Sequence, residues 1–138
     1  MTNNQSATKH ILQFINNEDN AVLHEIQVNA GEKIEYSYIH SSDGTPVKQI
    51  FTLAQDGTLK LLEERYSWQG AGLETGADKE ITVEDGEVRV TGYDRKFSEL
   101  TLRVARTVPQ NIVTERESLK LSDIAPGGTS ITIKTIAE

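Results

Sequence analysis

The stretch IEYSYIHSSDGTPVKQIFTLAQDGTLKLLEERYSW, residues 34–68, decides the fold. Ile34, Tyr36 and Tyr38 alternate with Glu35 and Ser37, and Val47, Phe51 and Leu53 alternate with Lys48 and Thr52. A period of two puts one set of side chains on one face of a strand and the other set on the opposite face. Asp43-Gly44 and Asp56-Gly57 separate the runs, and Asp-Gly readily takes the positive φ angles of a tight hairpin. The stretch therefore reads as an antiparallel meander of three strands.

A two-residue turn at Asp43-Gly44 would set Ile34 opposite Leu53, Tyr36 opposite Phe51, Tyr38 opposite Gln49 and His40 opposite Val47. Apolar residues then meet apolar residues, so the register supports itself. A turn at Asp56-Gly57 would set Phe51 opposite Leu62, Gln49 opposite Glu64, Val47 opposite Tyr66 and Thr45 opposite Trp68. Leu61 and Leu62 are both apolar, which breaks strict alternation and marks the third strand as the place for a bulge. The other face would carry Glu35, Ser37, Lys48, Thr52, Glu63 and Arg65, with Ile39, Ile50, Leu59 and Leu61 among them, and is the more solvated.

Working outward, segments 10–16, 21–28, 80–84, 87–93 and 111–116 also read as strands, as do the alternating runs 100–104 and 131–133. Asp85-Gly86 would pair Val83 with Val88 and Ile81 with Val90. Segment 117–125 has room for one short helix. The expected fold is all-β: an antiparallel β-sandwich or partly open barrel with at least seven strands, Ig-like meander hairpins and at most one short helix. The polar segment 1–9 reads as a disordered tail and 10–138 as a single domain, as suits a chain of 138 residues.

Composition narrows the function. The 36% of hydrophobic residues suffices for a core, and no apolar run is long enough for a membrane-spanning helix. A net charge of −7 disfavours nucleic acid, whose binding needs a basic face. The absence of cysteine excludes disulfides, thiolate metal sites and cysteine nucleophiles. The N-terminal residues show no apolar segment of a secretory signal.

On the face expected to be buried, Tyr38, Gln49 and Glu64 form a polar row, with His40 diagonal to Gln49. A buried carboxylate must be hydrogen-bonded or reach a pocket. Tyr38, Tyr66 and Trp68 would wall such a pocket, with Gly70 and Gly72 beyond it in a loop suited to close ligand approach. The competing reading is a structural polar network. No catalytic constellation stands out: His40 and Ser41 are neighbours and point to opposite faces, and no Gly-x-Ser-x-Gly elbow is present. His10, His24 and His40 lack paired metal-ligand spacing, and the acidic stretch 78–87 does not match a calcium loop. No metal or cofactor is indicated.

The run from Tyr38 to Val47, containing His40-Ser41 and Thr45-Pro46-Val47, followed by Glu64 and Gly70-Ala71-Gly72-Leu73, resembles the bacterial and archaeal family called domain of unknown function 1850. Leu100-Thr101-Leu102-Arg103-Val104 also fits, so the resemblance extends over about residues 26–135. Two departures are that the pattern often has a Glu near the positions of Lys48-Gln49, and Pro where this chain has Glu74. The resemblance implies a small extracytoplasmic protein, periplasmic or at the cell surface, whose signal or anchor is not evident in this chain. It also implies an association with tripartite (TRAP) transporters that use a TAXI-type solute-binding protein. The expected function is thus a non-enzymatic accessory or small-ligand-binding module. Its partners would be that binding protein or the membrane subunits, with a small polar ligand in the pocket. The alternatives are an enzyme using Glu64 as acid/base and a purely structural docking sandwich.

Overall fold

The computed structural model describes residues 9–39, 44–67 and 80–137. Residues 1–8 of the expected tail 1–9 lie outside them, as do His40, Trp68, Gly70 and Gly72, while Lys9 begins the first strand. Eleven strands follow one another: β1 Lys9–Asn16, β2 Val22–Asn29, β3 Lys33–Ile39, β4 Pro46–Leu53, β5 Leu59–Ser67, β6 Glu80–Glu84, β7 Glu87–Phe97, β8 Glu99–Arg103, β9 Gln110–Val113, β10 Ser118–Lys120 and β11 Ser130–Ala137. The helix expected within 117–125 is a single 3₁₀ turn at Leu121–Asp123.

The strands form two antiparallel sheets, one of four in the order β2-β1-β11-β8 and one of seven in the order β10-β9-β3-β4-β5-β7-β6. They remain two sheets rather than one closed barrel, so the fold is the expected all-β sandwich. Leu12, Phe14, Ile26, Val28, Ile131 and Ile133 of the smaller sheet are buried in one cluster with Ile34, Phe51, Leu53, Leu59, Leu61 and Ile112 of the larger. Along one open side, the turn between β9 and β10 reaches across to the other sheet. Arg116 Nη1 donates to both oxygens of Glu32, at 3.0 and 3.2 Å, and His24 Nε2 lies 2.8 Å from Glu117 Oε2.

Register decides which side chains meet. The β6–β7 hairpin pairs Val83 with Val88 and Ile81 with Val90, as Asp85-Gly86 implied. The β3–β4 pairing is displaced by two residues from expectation: Ile34 faces Phe51, Tyr36 faces Gln49 and Tyr38 faces Val47. Pairing ends at Ile39 and Pro46, so the connection is longer than a two-residue turn. A slip of two leaves every side chain on its expected face and changes only its neighbours. The expected Tyr38–Gln49 and Tyr36–Phe51 pairs are thereby replaced.

Between β4 and β5 two departures cancel. The turn spans 54–58, where Ala54 N donates to Thr58 O and Gly57 N to Ala54 O. Leu53 then meets Leu59 and Phe51 meets Leu61, one position away from the register a two-residue turn would set. Leu62 is the extra residue of a bulge, after which Gln49 meets Glu64 and Val47 meets Tyr66 as expected. The bulge also explains why Leu59 and Leu61, expected on the solvated face, lie in the core at 1% and 3% exposure.

The register makes two neighbouring leucines unequal. Leu61→Ala should lower the unfolding free energy in urea by about 2–5 kcal/mol, the usual cost of emptying a core leucine site. Leu62→Ala should cost clearly less, since Leu62 is only partly buried. Equal losses would contradict the bulge.

Candidate functional site

A second irregularity lies opposite the first. On β7, Thr91 pairs with Glu63 and Arg95 with Leu61, so three residues of β7 span the position of Leu62. Gly92 has a φ of 88°, a conformation that costs an L-residue about 1–3 kcal/mol. It breaks the alternation that buries Val88 and Val90, and Tyr93 rather than Gly92 packs against the core. A glycine inside a strand is the sequence signal for such a bulge. Tyr93 is the residue that the alternation pattern alone did not bring to the site.

The paired bulges put Glu64 between two donors. Gln49 Nε2 donates to Glu64 Oε2 at 2.6 Å, and the Tyr93 hydroxyl donates to Glu64 Oε1 at 2.6 Å. The carboxylate thus has a donor on each oxygen, meeting the requirement that its place on this face imposed. Tyr36 stacks on Tyr38 with ring centroids 5.0 Å apart. Buried Gln110 holds Tyr36 in turn, donating from Nε2 to the Tyr36 hydroxyl at 3.1 Å while its Oε1 accepts Ala105 N at 2.7 Å. Tyr66 lies on the same side of the Glu64 row, next to Val47. It also lines a cleft of about 340 Å³ with Lys48, Arg65 and Glu87.

All four tyrosines of the chain surround or adjoin this carboxylate, and all have pKa values raised from 10.0. Burial is the main cause in each. For Tyr93 the hydrogen bond to Glu64 and the negative charge of Glu64 add to it, and the same charge raises Tyr38 and Tyr66. For Tyr36 the hydrogen bond from Gln110 works against burial. Hydroxyls held in their protonated form near a carboxylate serve as hydrogen-bond donors rather than bases.

Of the residues singled out from sequence, Gln49 and Glu64 are hydrogen-bonded to each other, and Tyr38 and Tyr66 flank them from β3 and β5. Tyr38 is not the cross-strand neighbour of Gln49, a place taken by Tyr36. Among the described residues no group of three His, Cys, Asp or Glu side chains is placed to hold a metal ion. No helix among them is long and apolar enough to cross a membrane.

These features define a two-sheet antiparallel β-protein with a carboxylate and tyrosine cluster at one end of its larger sheet. The family model for the domain of unknown function DUF1850 matches residues 34–121, more than half of the chain, and the protein belongs to that family. No curated protein and no solved structure matches the chain.

The tyrosine shifts carry a definite pH dependence. A raised folded pKa means that the protonated phenol favours the fold. That contribution is intact below the unfolded value of about 10 and is lost as pH rises through the folded values. Wild-type stability should therefore fall above about pH 10, with little tyrosinate absorbance until the protein unfolds. Tyr93→Phe should fall less steeply there, and should lose about 1 kcal/mol at neutral pH from the unmade bond to Glu64. Early, stepwise tyrosinate formation in the folded protein would contradict the burial of the cluster.

Proposed function

We propose that this protein is a non-catalytic, extracytoplasmic accessory of a TAXI-type TRAP transporter that holds a small polar ligand against Glu64. One observation carries the ligand-binding part. Tyr93 and Gln49 fix the Glu64 carboxylate, one on each oxygen, beside the tyrosines of β3 and β5. A carboxylate fixed in this way keeps lone pairs for a further donor. The surrounding rings offer apolar faces with polar tips, as small-molecule sites commonly do. The ligand that fits is a small molecule with hydrogen-bond donors, of neutral or positive charge at the end that meets Glu64.

The transporter association and the compartment rest on the family resemblance. A docking role is favoured by a separate observation. β6 is the edge of the larger sheet among the described residues, and its Ile81 and Val83 are 42% and 51% exposed. Such an edge can take up a strand from a partner. The solute-binding protein or a membrane subunit would then be the partner.

An enzyme using Glu64 as acid/base is the weaker reading. A carboxylate with two committed donors is a fixed acceptor first, and proton transfer would have to displace or share one of them.

The test is a thermal-shift screen of amines, amino acids, carboxylates, polyols and divalent cations on wild type and Glu64→Gln. A ligand at about 100 times its Kd adds about 2.7 kcal/mol, a rise of several degrees in Tm. The proposal expects such a rise in wild type, its loss in Glu64→Gln, and recovery of the ligand unchanged. Turnover that disappears in Glu64→Gln would make the protein an enzyme. A shift that survives in Glu64→Gln would remove the site from Glu64.

A further inference from the structure

A second cleft, of about 410 Å³, opens where β1 ends, β8 ends and β11 begins. Its walls include Asn17, Glu18, Arg103, Arg106, Gly128 and Ser130. Two arginines against one acidic residue is the reverse of the balance of the whole chain, which has 21 Asp and Glu and 14 Lys and Arg.

The cleft is built in detail. Arg103 Nη1 donates to Gly128 O at 2.7 Å, which fixes its guanidinium on the wall. Asn17 Nδ2 donates to Ser130 Oγ at 2.9 Å, and Asn17 Oδ1 accepts from Thr132 Oγ1 at 2.7 Å. Ser130 Oγ accepts that bond and keeps its own proton to donate.

Arg106 lies across two glycines. A Cβ on Gly127 would come within 2.8 Å of Arg106 Cα, and one on Gly128 within 2.5 Å of Arg106 Nη2. A side chain at Gly127 would run into the Arg106 backbone and Cγ, and one at Gly128 into its guanidinium. Arg106 is an exposed residue on the cleft wall, and among the described residues its guanidinium has no hydrogen-bond or ion-pair partner.

We infer that this cleft is a binding site for a small carboxylate, gripped by the guanidinium fork of Arg106 with Arg103 and Ser130 beside it. The fork matches the two oxygens of a carboxylate in one plane. Glu18 on the wall disfavours a highly charged anion and suits a ligand that carries a neutral or cationic group next to its carboxylate, as glycine does. The site is distinct from the Glu64 cluster, although Gln110 links the two, accepting from Ala105 N and donating to both Arg103 O and the Tyr36 hydroxyl.

The experiment follows the arginine side-chain N–H signals by NMR during titration with glycine, succinate or inorganic phosphate at constant ionic strength. The inference expects a saturable change at Arg106 with glycine, and a weaker one with the doubly charged succinate. In Arg106→Gln binding should weaken by about tenfold or more, and Arg106→Lys should recover only part of it, because an ammonium lacks the fork. Glu64→Gln should bind normally, which separates this site from the one proposed above. The wild-type titration alone decides the matter if a variant fails to fold. A response that does not saturate, one that favours phosphate over both carboxylates, or binding undiminished in a folded Arg106→Gln would each overturn the inference.

Discussion

A carboxylate on the inward face of a sheet must find hydrogen bonds, and much of the larger sheet is arranged around that need at Glu64. The bulge at Leu62 brings Glu64 into line with Gln49. The bulge at Gly92 brings Tyr93 to its other oxygen. Without the bulge at Leu62, the apolar ladder of Phe51, Leu61, Leu53 and Leu59 would continue in one phase and put Glu63 rather than Glu64 on the inward face. The two irregularities are thus the point at which the sheet changes from a packing surface to a polar one. Their cost is offset by a carboxylate that is bonded on both oxygens.

The polar end is braced from behind. Gln110 uses its amide to satisfy Ala105 N and Arg103 O and still reaches the Tyr36 hydroxyl. It thereby fastens β3 to the chain that leaves β8, one from each sheet. The contacts of Arg116 with Glu32 and of His24 with Glu117 make a second tie along the open side. They are exposed or nearly so, and contribute less than the buried amide does.

Much of this was readable from residue pattern, and the exceptions have physical causes. Alternation and Asp-Gly turns were enough for the all-β sandwich, for the β6–β7 register and for the Gln49–Glu64 pair. That last pair came out right because the longer turn at 54–58 and the bulge at Leu62 shift the register in opposite senses. The carboxylate of Asp56 shapes that turn, accepting from both Thr58 N and Thr58 Oγ1, bonds that hold its pKa below the usual value. The β3–β4 register was not readable, because Asp-Gly marks a reversal without fixing how many residues it contains. Tyr93 was missed because alternation through Val88 and Val90 puts it on the wrong face unless Gly92 is read as an inserted residue. The arginine cleft has no local motif: Asn17, Arg106 and Ser130, far apart in sequence, come together only beyond the ends of β1 and β8 and at the start of β11.

The central place of β1 and β11 in the smaller sheet has a further consequence. His10 lies opposite Ala137, so the chain enters and leaves the sandwich side by side. Gly57, in the turn between β4 and β5, is beside them, since its carbonyl accepts from Thr135 Oγ1. Tyr66, Arg103 and the β1–β2 turn belong to the opposite pole. A tether attached at either terminus would therefore hold the molecule by its foot, with Glu64 and Arg106 carried toward the far pole.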